Sequence, residues 1–483
     1  MKDIIFTLHN RLINKEISSV ELTNLYIDAI NRENHSLNAF VHKNFDEALL
    51  QAQAADNAIA DGNSDILCGI PMALKDNICS NGQLTTCCSK MLQEFKPYYD
   101  ATAWSMLKEK GAVMLGKTNM DEFAMGNTSQ SSYYGAPVNP LNPDCVTGGS
   151  SGGSASAVCG NLAPYALGSD TGGSVRQPAS FCGVVGLKPT YGAVSRYGLI
   201  AYASSLDQIG VITNGVMDAA IVFDAIRGVD SHDQTTVKSN SATDKISGKI
   251  DGLRIGVIKE FFDSVGDEVR HSVENAVKSY EQSGATIVEL SMPSLKKALP
   301  IYYIIACAEA SSNLGRYDGL RYGYRANKYN DINEMMLKTR SEGFGDEVKR
   351  RIMLGTYVLS SGYYDAYYKK ACIIRAQICA EFNNLFDKCD VLITPTAPTT
   401  AFSVDSKSKN PVDMYAEDIC TVPVNIAGLP AVSIPCGVDK SGLPVGMQII
   451  GNKFKEGTIL NAAYFYQQNF DSAEEWNKGG VQL

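Results

Sequence analysis

Residues 148–176 read GGSSGGSASAVCGNLAPYALGSDTGGSVR, two glycine–serine clusters separated by a run of small and apolar residues. Glycine loses more conformational freedom on folding than any other residue, so such density marks backbone that turns sharply or lies close against something. Serine beside it supplies hydroxyls where few other side chains stand. A flexible linker has this composition too. A linker would not run into Val158, Leu162, Tyr165, Ala166 and Leu167, which read as a buried helix and strand. Polar glycine loops set into apolar chain predict a functional site.

Upstream, residues 69–77 (GIPMALKDN) alternate as a strand, with Ile70, Met72 and Leu74 on one face and Pro71, Ala73 and Lys75 on the other. Lys75 ends this largely apolar strand, and its bland reading is a solvated strand-end lysine. Residues 102–110 predict a helix closed by Gly111, with a strand at 112–115. The octet 111–118, GAVMLGKT, matches the phosphate-loop pattern GxxxxGK[ST] letter for letter. Such a loop needs free N–H groups between a strand and a helix, and four consecutive apolar residues belong in a strand instead.

Nearer the N-terminus, Ser18 and Glu21 form a capping-box pattern. Leu22, Leu25, Tyr26, Ala29 and Ile30 follow as one apolar stripe. A second helix is predicted over 46–61, stopped by Gly62. Beyond the serines, 181–202 predicts short strands and turns. A β-α-β unit follows, with strand 253–258, helix 267–282 and strand 285–290. Residues 300–388 are mostly helical and rich in tyrosine, and a strand is predicted at 391–395. Strands at 431–434 and 445–450 flank a hairpin turn at 439–442. The expected fold class is α/β, a large mixed sheet covered by helices on both faces. One domain is expected over 1–483: an N-terminal helical layer (1–64), a core (65–230), a surface loop (231–252) and the rest of the core (253–483).

The chain has 483 residues, 45% of them hydrophobic, and a net charge of −9, so it can bury a large core but offers no basic surface for coating a polyanion. Its 13 cysteines show no zinc-ligand spacing. A chain this large needs no disulfide framework, so reduced thiols and a cytoplasmic location are expected. The start, MKDIIFTLHNR, breaks its apolar run too early for a signal peptide. The longest apolar run, near 299–308, is too short to span a bilayer.

A serine hydroxyl becomes a nucleophile only with a base. The five histidines, His9, His35, His42, His232 and His271, all lie outside the Gly/Ser region. The other candidate is a lysine held neutral, because burial disfavours the ammonium form. Lys75, ending an apolar strand, is the best placed, and one hydroxyl could relay the proton from another. Consecutive N–H groups in Gly172-Gly173-Ser174 suit a developing oxyanion.

The order and spacing of residues 69–77, 148–154 and 168–178 resemble the amidase signature family, with its Ser–cis-Ser–Lys triad. The resemblance implies Lys75 as base, Ser150 as the bridging serine on a cis peptide bond, and Ser174 as nucleophile. It implies the N–H groups of Thr171, Gly172, Gly173 and Ser174 as the oxyanion hole. Longer blocks at 116–126, 191–198, 204–210 and 360–370 are similar to the branch that provides the A subunits of aspartyl/glutamyl-tRNA amidotransferases. That likeness implies hydrolysis of glutamine to glutamate and ammonia. The ammonia would pass to a partner in a heterotrimer with subunits B and C, and the partner would use ATP and Mg²⁺ to activate misacylated tRNA. No cofactor, metal or membrane is implied for this chain. Thr147 and Val211 stand where the family commonly has proline, and are expected to alter local turn geometry only. By the same resemblance, Arg351 (or its neighbour Arg350) holds the substrate carboxylate through a bidentate fork, and Asp418 its ammonium group.

Three other readings are open to this sequence. One is a stand-alone amidase acting on another amide. One is an α/β-hydrolase with Ser151 of 149–153 (GSSGG) as nucleophile, which needs a downstream histidine, His232 or His271. The last is an inert scaffold or tRNA-binding subunit.

Overall fold

The computed structural model describes residues 3–62, 65–406 and 411–470; the two ends of the domain expected over 1–483 lie outside them. Among the described residues eleven strands join one sheet. They are β1 (Phe40–Lys43), β2 (Pro71–Lys75), β3 (Val113–Thr118), β4 (Tyr165–Asp170), β5 (Val185–Lys188), β6 (Gln208–Thr213), β7 (Arg254–Ile258), β8 (Thr286–Leu290), β9 (Val391–Pro395), β10 (Ala431–Val438) and β11 (Pro444–Gly451). Their spatial order is β1-β3-β2-β4-β6-β5-β10-β11-β9-β7-β8. The sheet is mixed: β3, β2 and β4 run parallel, as do β9, β7 and β8, and the other neighbours pair antiparallel.

Every residue of β2, β3, β4 and β6 is buried, as in strands covered on both faces. Two-sided cover explains why Lys75 is not the solvated strand-end lysine that alternation alone suggested. It is 0% exposed. The phosphate-loop match dissolves for the same reason. Gly111 ends the preceding helix at φ +79°, and Gly116, Lys117 and Thr118 continue the strand. Lys117 Nζ donates to the Ile78 carbonyl and, at 3.0 Å, to Thr85 Oγ1.

The capping box at Ser18 is present, with Glu21 N–H donating to Ser18 Oγ at 3.1 Å and Ser18 N–H to Glu21 Oε2 at 2.8 Å. Leu25, predicted in the apolar stripe, is 37% exposed; the other stripe residues, Leu22, Tyr26, Ala29 and Ile30, are buried, together with Thr23 and Ile27. The β-α-β unit forms as read, with β7 and β8 parallel around the helix Asp267–Gln282. Val211 is not in a turn. It sits mid-strand in β6 between Leu167 and Leu187, where its N–H and β-branched side chain suit the ladder better than proline. Among the described residues no helix is long and apolar enough to cross a membrane.

Two features aim this scaffold at one place. Strands β2 and β4 are parallel neighbours and end at the same edge, at Lys75 and Asp170. In α/β sheets that carboxyl edge is where ligands bind. The loop at 148–151 leads into the helix Gly152–Cys159, which returns the chain to β4 and the 171–174 turn.

Candidate active site

Lys75 reaches from the end of β2 into a nest of hydroxyls. Its Nζ lies 2.8 Å from Ser150 Oγ, 2.8 Å from Ser151 Oγ and 2.9 Å from Ser169 Oγ. Burial pulls this amine down to about 7; the charges of Asp121 and Asp170 oppose the shift without cancelling it. Ser151 donates its own proton to the Ser169 carbonyl at 3.1 Å, so towards Lys75 it can only accept. Asn77 Nδ2 donates to Ser169 Oγ at 2.9 Å. A neutral amine has two hydrogens and one lone pair. With Ser151 fixed as acceptor, the lone pair can take a proton from Ser150 or from Ser169.

The peptide bond between Gly149 and Ser150 is cis. A Cβ on Gly149 would lie 2.2 Å from Asp121 Oδ2, so the glycine is there to let the chain press against that carboxylate. Asp121 accepts from Ser129 N–H at 2.9 Å and Ser131 Oγ at 2.8 Å, and its own N–H donates to the Ser150 carbonyl at 3.2 Å.

The second glycine–serine turn folds around Asp170. That carboxylate takes Gly173 N–H at 2.8 Å, Val175 N–H at 3.2 Å and Asn425 Nδ2 at 2.9 Å. Arg176 grips it with Nε at 3.1 Å and a second nitrogen at 3.1 Å. Burial alone would raise this carboxyl, but the Arg176 guanidinium outweighs it and holds Asp170 at about 2. Gly173 sits at φ +134°, backbone that side chains rarely adopt. Ser174 is 7% exposed, and its carbonyl accepts Ser151 N–H at 3.0 Å, which seats the two clusters against each other. Of the four N–H groups expected to form an oxyanion hole, that of Gly173 is therefore already spent on Asp170. Those of Thr171, Gly172 and Ser174 make no hydrogen bond among the described residues.

Arg351 and Asp418 meet through tyrosines. Arg351, 3% exposed, lies over the rings of Tyr202, Tyr303 and Tyr415, with the Tyr303 centroid 5.2 Å away. It donates to Glu347 at 2.8 Å and to the Tyr202 hydroxyl at 2.7 Å. Tyr303 donates to Asp418 Oδ2 at 2.7 Å, and Asn127 Nδ2 to Asp418 Oδ1 at 3.3 Å. Burial pushes the Asp418 carboxyl up to about 6 against the pull of Tyr303 and Arg351. Three residues on, Thr421 donates to the Gly172 carbonyl at 2.6 Å, tying this cluster to the 171–174 turn. Arg350 points elsewhere: its side chain is 41% exposed and pairs with the outer oxygen of Glu347. A cavity of about 480 Å³ opens beside these groups, lined by Asp121, Thr128, Glu347, Met414 and Glu417. Neither it nor the larger clefts among outer helices are lined by Ser150, Ser151 or Ser174.

Sequence reading missed Asn77, Asn127, Ser169 and the three tyrosines. Asn77 and Ser169 lie within the stretches 69–77 and 148–176 that carry the site, and the tyrosine richness of 300–388 covers Tyr303, but neither signal singles out a position.

The family described as "Amidase" matches residues 21–460. The A subunit of the glutamyl-tRNA(Gln) amidotransferase of Thermosynechococcus vestitus is 52% identical over 99% of this chain and 100% of its own length. Among solved structures, the A subunit of the glutamyl-tRNA(Gln) amidotransferase from Thermotoga maritima is 41% identical, covering 93% of this chain and 92% of that one, at a TM-score of 0.78. The peptide amidase of Stenotrophomonas maltophilia superposes at 0.82 with 28% identity, covering 96% of each chain.

Proposed function

Because this chain belongs to the amidase signature family, we propose that it hydrolyses glutamine as the amidase subunit of a tRNA-dependent amidotransferase, acting as one domain over residues 1–483. The observation that carries the chemistry is the buried Lys75 amine, 2.8 Å from Ser150 Oγ. In this reading Ser174 Oγ attacks the γ-carboxamide carbon of glutamine while its proton passes through Ser150 to Lys75. The oxyanion is held by the N–H groups of Thr171, Gly172 and Ser174. Collapse breaks the C–N bond, and ammonia leaves with the proton returned by Lys75 through Ser150. Water then attacks the γ-glutamyl ester by the same relay, releasing glutamate and restoring Ser174.

The names of the 52% and 41% identical relatives support the wider role. In it, subunits B and C complete a heterotrimer in the cytoplasm. The partner uses ATP and Mg²⁺ to activate Glu-tRNA(Gln) or Asp-tRNA(Asn), and ammonia from this chain completes the amide. The chain's net charge of −9 fits a protein that leaves most tRNA contact to its partner.

Arg351 and Asp418 serve as the groups that read the carboxylate and ammonium of glutamine. Replacing Arg351 by alanine or Asp418 by asparagine is expected to raise KM for glutamine about 10–100-fold, the loss expected for one charge-assisted contact. Steady-state glutaminase assays check this, and an unchanged KM removes either residue from the role.

The hydrolase reading needs a histidine at the serines. His232 is instead bound to Asp230 and His271 to the Asp267 carbonyl. Alanine at either is expected to leave glutaminase activity within about twofold, whereas a fall of roughly a thousandfold would mark a triad member.

A further inference from the structure

Glu122 is a buried carboxylate, 4% exposed, that the chemistry above does not use. It follows Asp121, whose N–H holds the Ser150 carbonyl. Its own N–H donates to Ser131 Oγ at 3.1 Å, the same hydroxyl that donates to Asp121. Its side chain faces the other way. Oε1 accepts from Ser89 Oγ at 2.5 Å, and Oε2 accepts Gly345 N–H at 2.8 Å. Gly345 is the residue before the helix Asp346–Leu359, the element that carries Glu347 and Arg351. Ser89 Oγ also lies 3.3 Å from the Gly343 carbonyl, and Phe123 packs on Phe344 with centroids 5.6 Å apart. The turn at 121–124 therefore grips the corner at 343–345 by one hydrogen bond and a ring contact, with Ser89 bridging from Glu122 towards Gly343.

We infer that Glu122 is a positioning residue: it fixes the start of the Asp346–Leu359 helix, and so Arg351, relative to Ser150. Two adjacent residues then span the site, Asp121 bracing the proposed proton relay and Glu122 bracing the helix that reads the substrate's amino-acid end. This rests on the reading of Arg351 as the carboxylate partner. A helix start that slides by a fraction of an ångström leaves the serines in place and misplaces the guanidinium. The effect belongs in substrate binding, and in glutamine more than in an amide with no carboxylate.

Glu122→Ala in the full chain is expected to raise KM for glutamine about tenfold while kcat stays within about threefold, the pattern of lost uniform binding. The ratio of kcat/KM for glutamine to that for butyramide should fall about tenfold. Glu122→Gln keeps an acceptor for Gly345 and a polar partner for Ser89, and should restore both values. Gly345→Ala tests the contact from the other side, because its Cβ would lie 2.3 Å from Glu122 Oε2. It should reproduce the alanine variant even if that variant folds poorly. A kcat loss at constant KM, equal losses on both amides, or a glutamine variant as impaired as alanine overturns the inference. Arg351→Ala separates the layers. If it spares the glutamine-to-butyramide ratio, the Arg351 reading fails. If it collapses the ratio while Glu122→Ala and Gly345→Ala spare it, the positioning role alone fails.

Discussion

Ser174→Ala is expected to lower glutaminase kcat by on the order of 10⁴–10⁶, the loss seen when an enzyme nucleophile is removed. The fold should not notice. The 171–174 turn is held by Asp170, which takes Gly173 and Val175 N–H groups and the Arg176 guanidinium, and by Thr421 on the Gly172 carbonyl. Ser174 adds its carbonyl to Ser151 N–H, a backbone bond that alanine keeps. Thermal denaturation should therefore match wild type within a degree or two. Loss of activity then reports chemistry and not unfolding. Acid-quenched wild type with glutamine should carry a γ-glutamyl ester that peptide mapping places on Ser174. An ester on Ser151, or full activity in the alanine variant, transfers the nucleophile elsewhere.

How much of this was legible in sequence varies with the range of the interaction. The capping box at Ser18 rests on residues three apart, and the β7–β8 unit and the β10–β11 hairpin join elements consecutive or nearly so in the chain; these read correctly. The glycine–serine clusters read as a site because nothing else explains such backbone inside apolar chain. The short edge strand β1 and the helix Ile5–Ile13 were not predicted. Four residues give too few alternations to count. The apolar positions Ile5, Leu8 and Leu12 do fall at helical spacing, but at a chain start the same residues invite comparison with a leader segment first. Sequence could propose Lys75 as a base, but not that both faces of its strand are covered. That depends on helices remote in the chain, Ser19–Leu37 and Gly152–Cys159, which pack on it. The spent N–H of Gly173 was equally invisible: an Asp three residues earlier is a local feature, yet nothing in the letters says its side chain folds back. The meeting of Arg351 with Asp418 runs through Tyr303, 115 residues before Asp418, and such separations leave no periodic trace.

The second large effect follows from the state of Lys75. A base must be neutral before it can take a proton. With Lys75 pulled down to about 7 by burial, the neutral fraction grows as pH rises and is half complete near that value. On the acid side, kcat/KM for glutamine should fall about tenfold per pH unit below 7, with a plateau above it. Lys75→Met, similar in length but unable to accept a proton, should lose roughly 10³–10⁴ in kcat and with it this pH dependence. Lys75→Arg should not rescue, since a guanidinium keeps its proton throughout the working range. The same shift has a stability signature with a fixed sign. The folded chain releases the Lys75 proton near 7, whereas the unfolded chain keeps it to the ordinary 10.5. Between those values the unfolded state binds more protons, so the cost of burying Lys75 shrinks as pH rises towards 10.5 and grows as pH falls towards 7. The stability of wild type relative to Lys75→Met should therefore climb from pH 7 to 10.5, measured by urea denaturation at each pH. A flat difference across that window, or an activity profile that ignores the amine's titration, would mean a lysine that stays charged in the folded chain, and a charged lysine cannot draw the proton from Ser174 through Ser150.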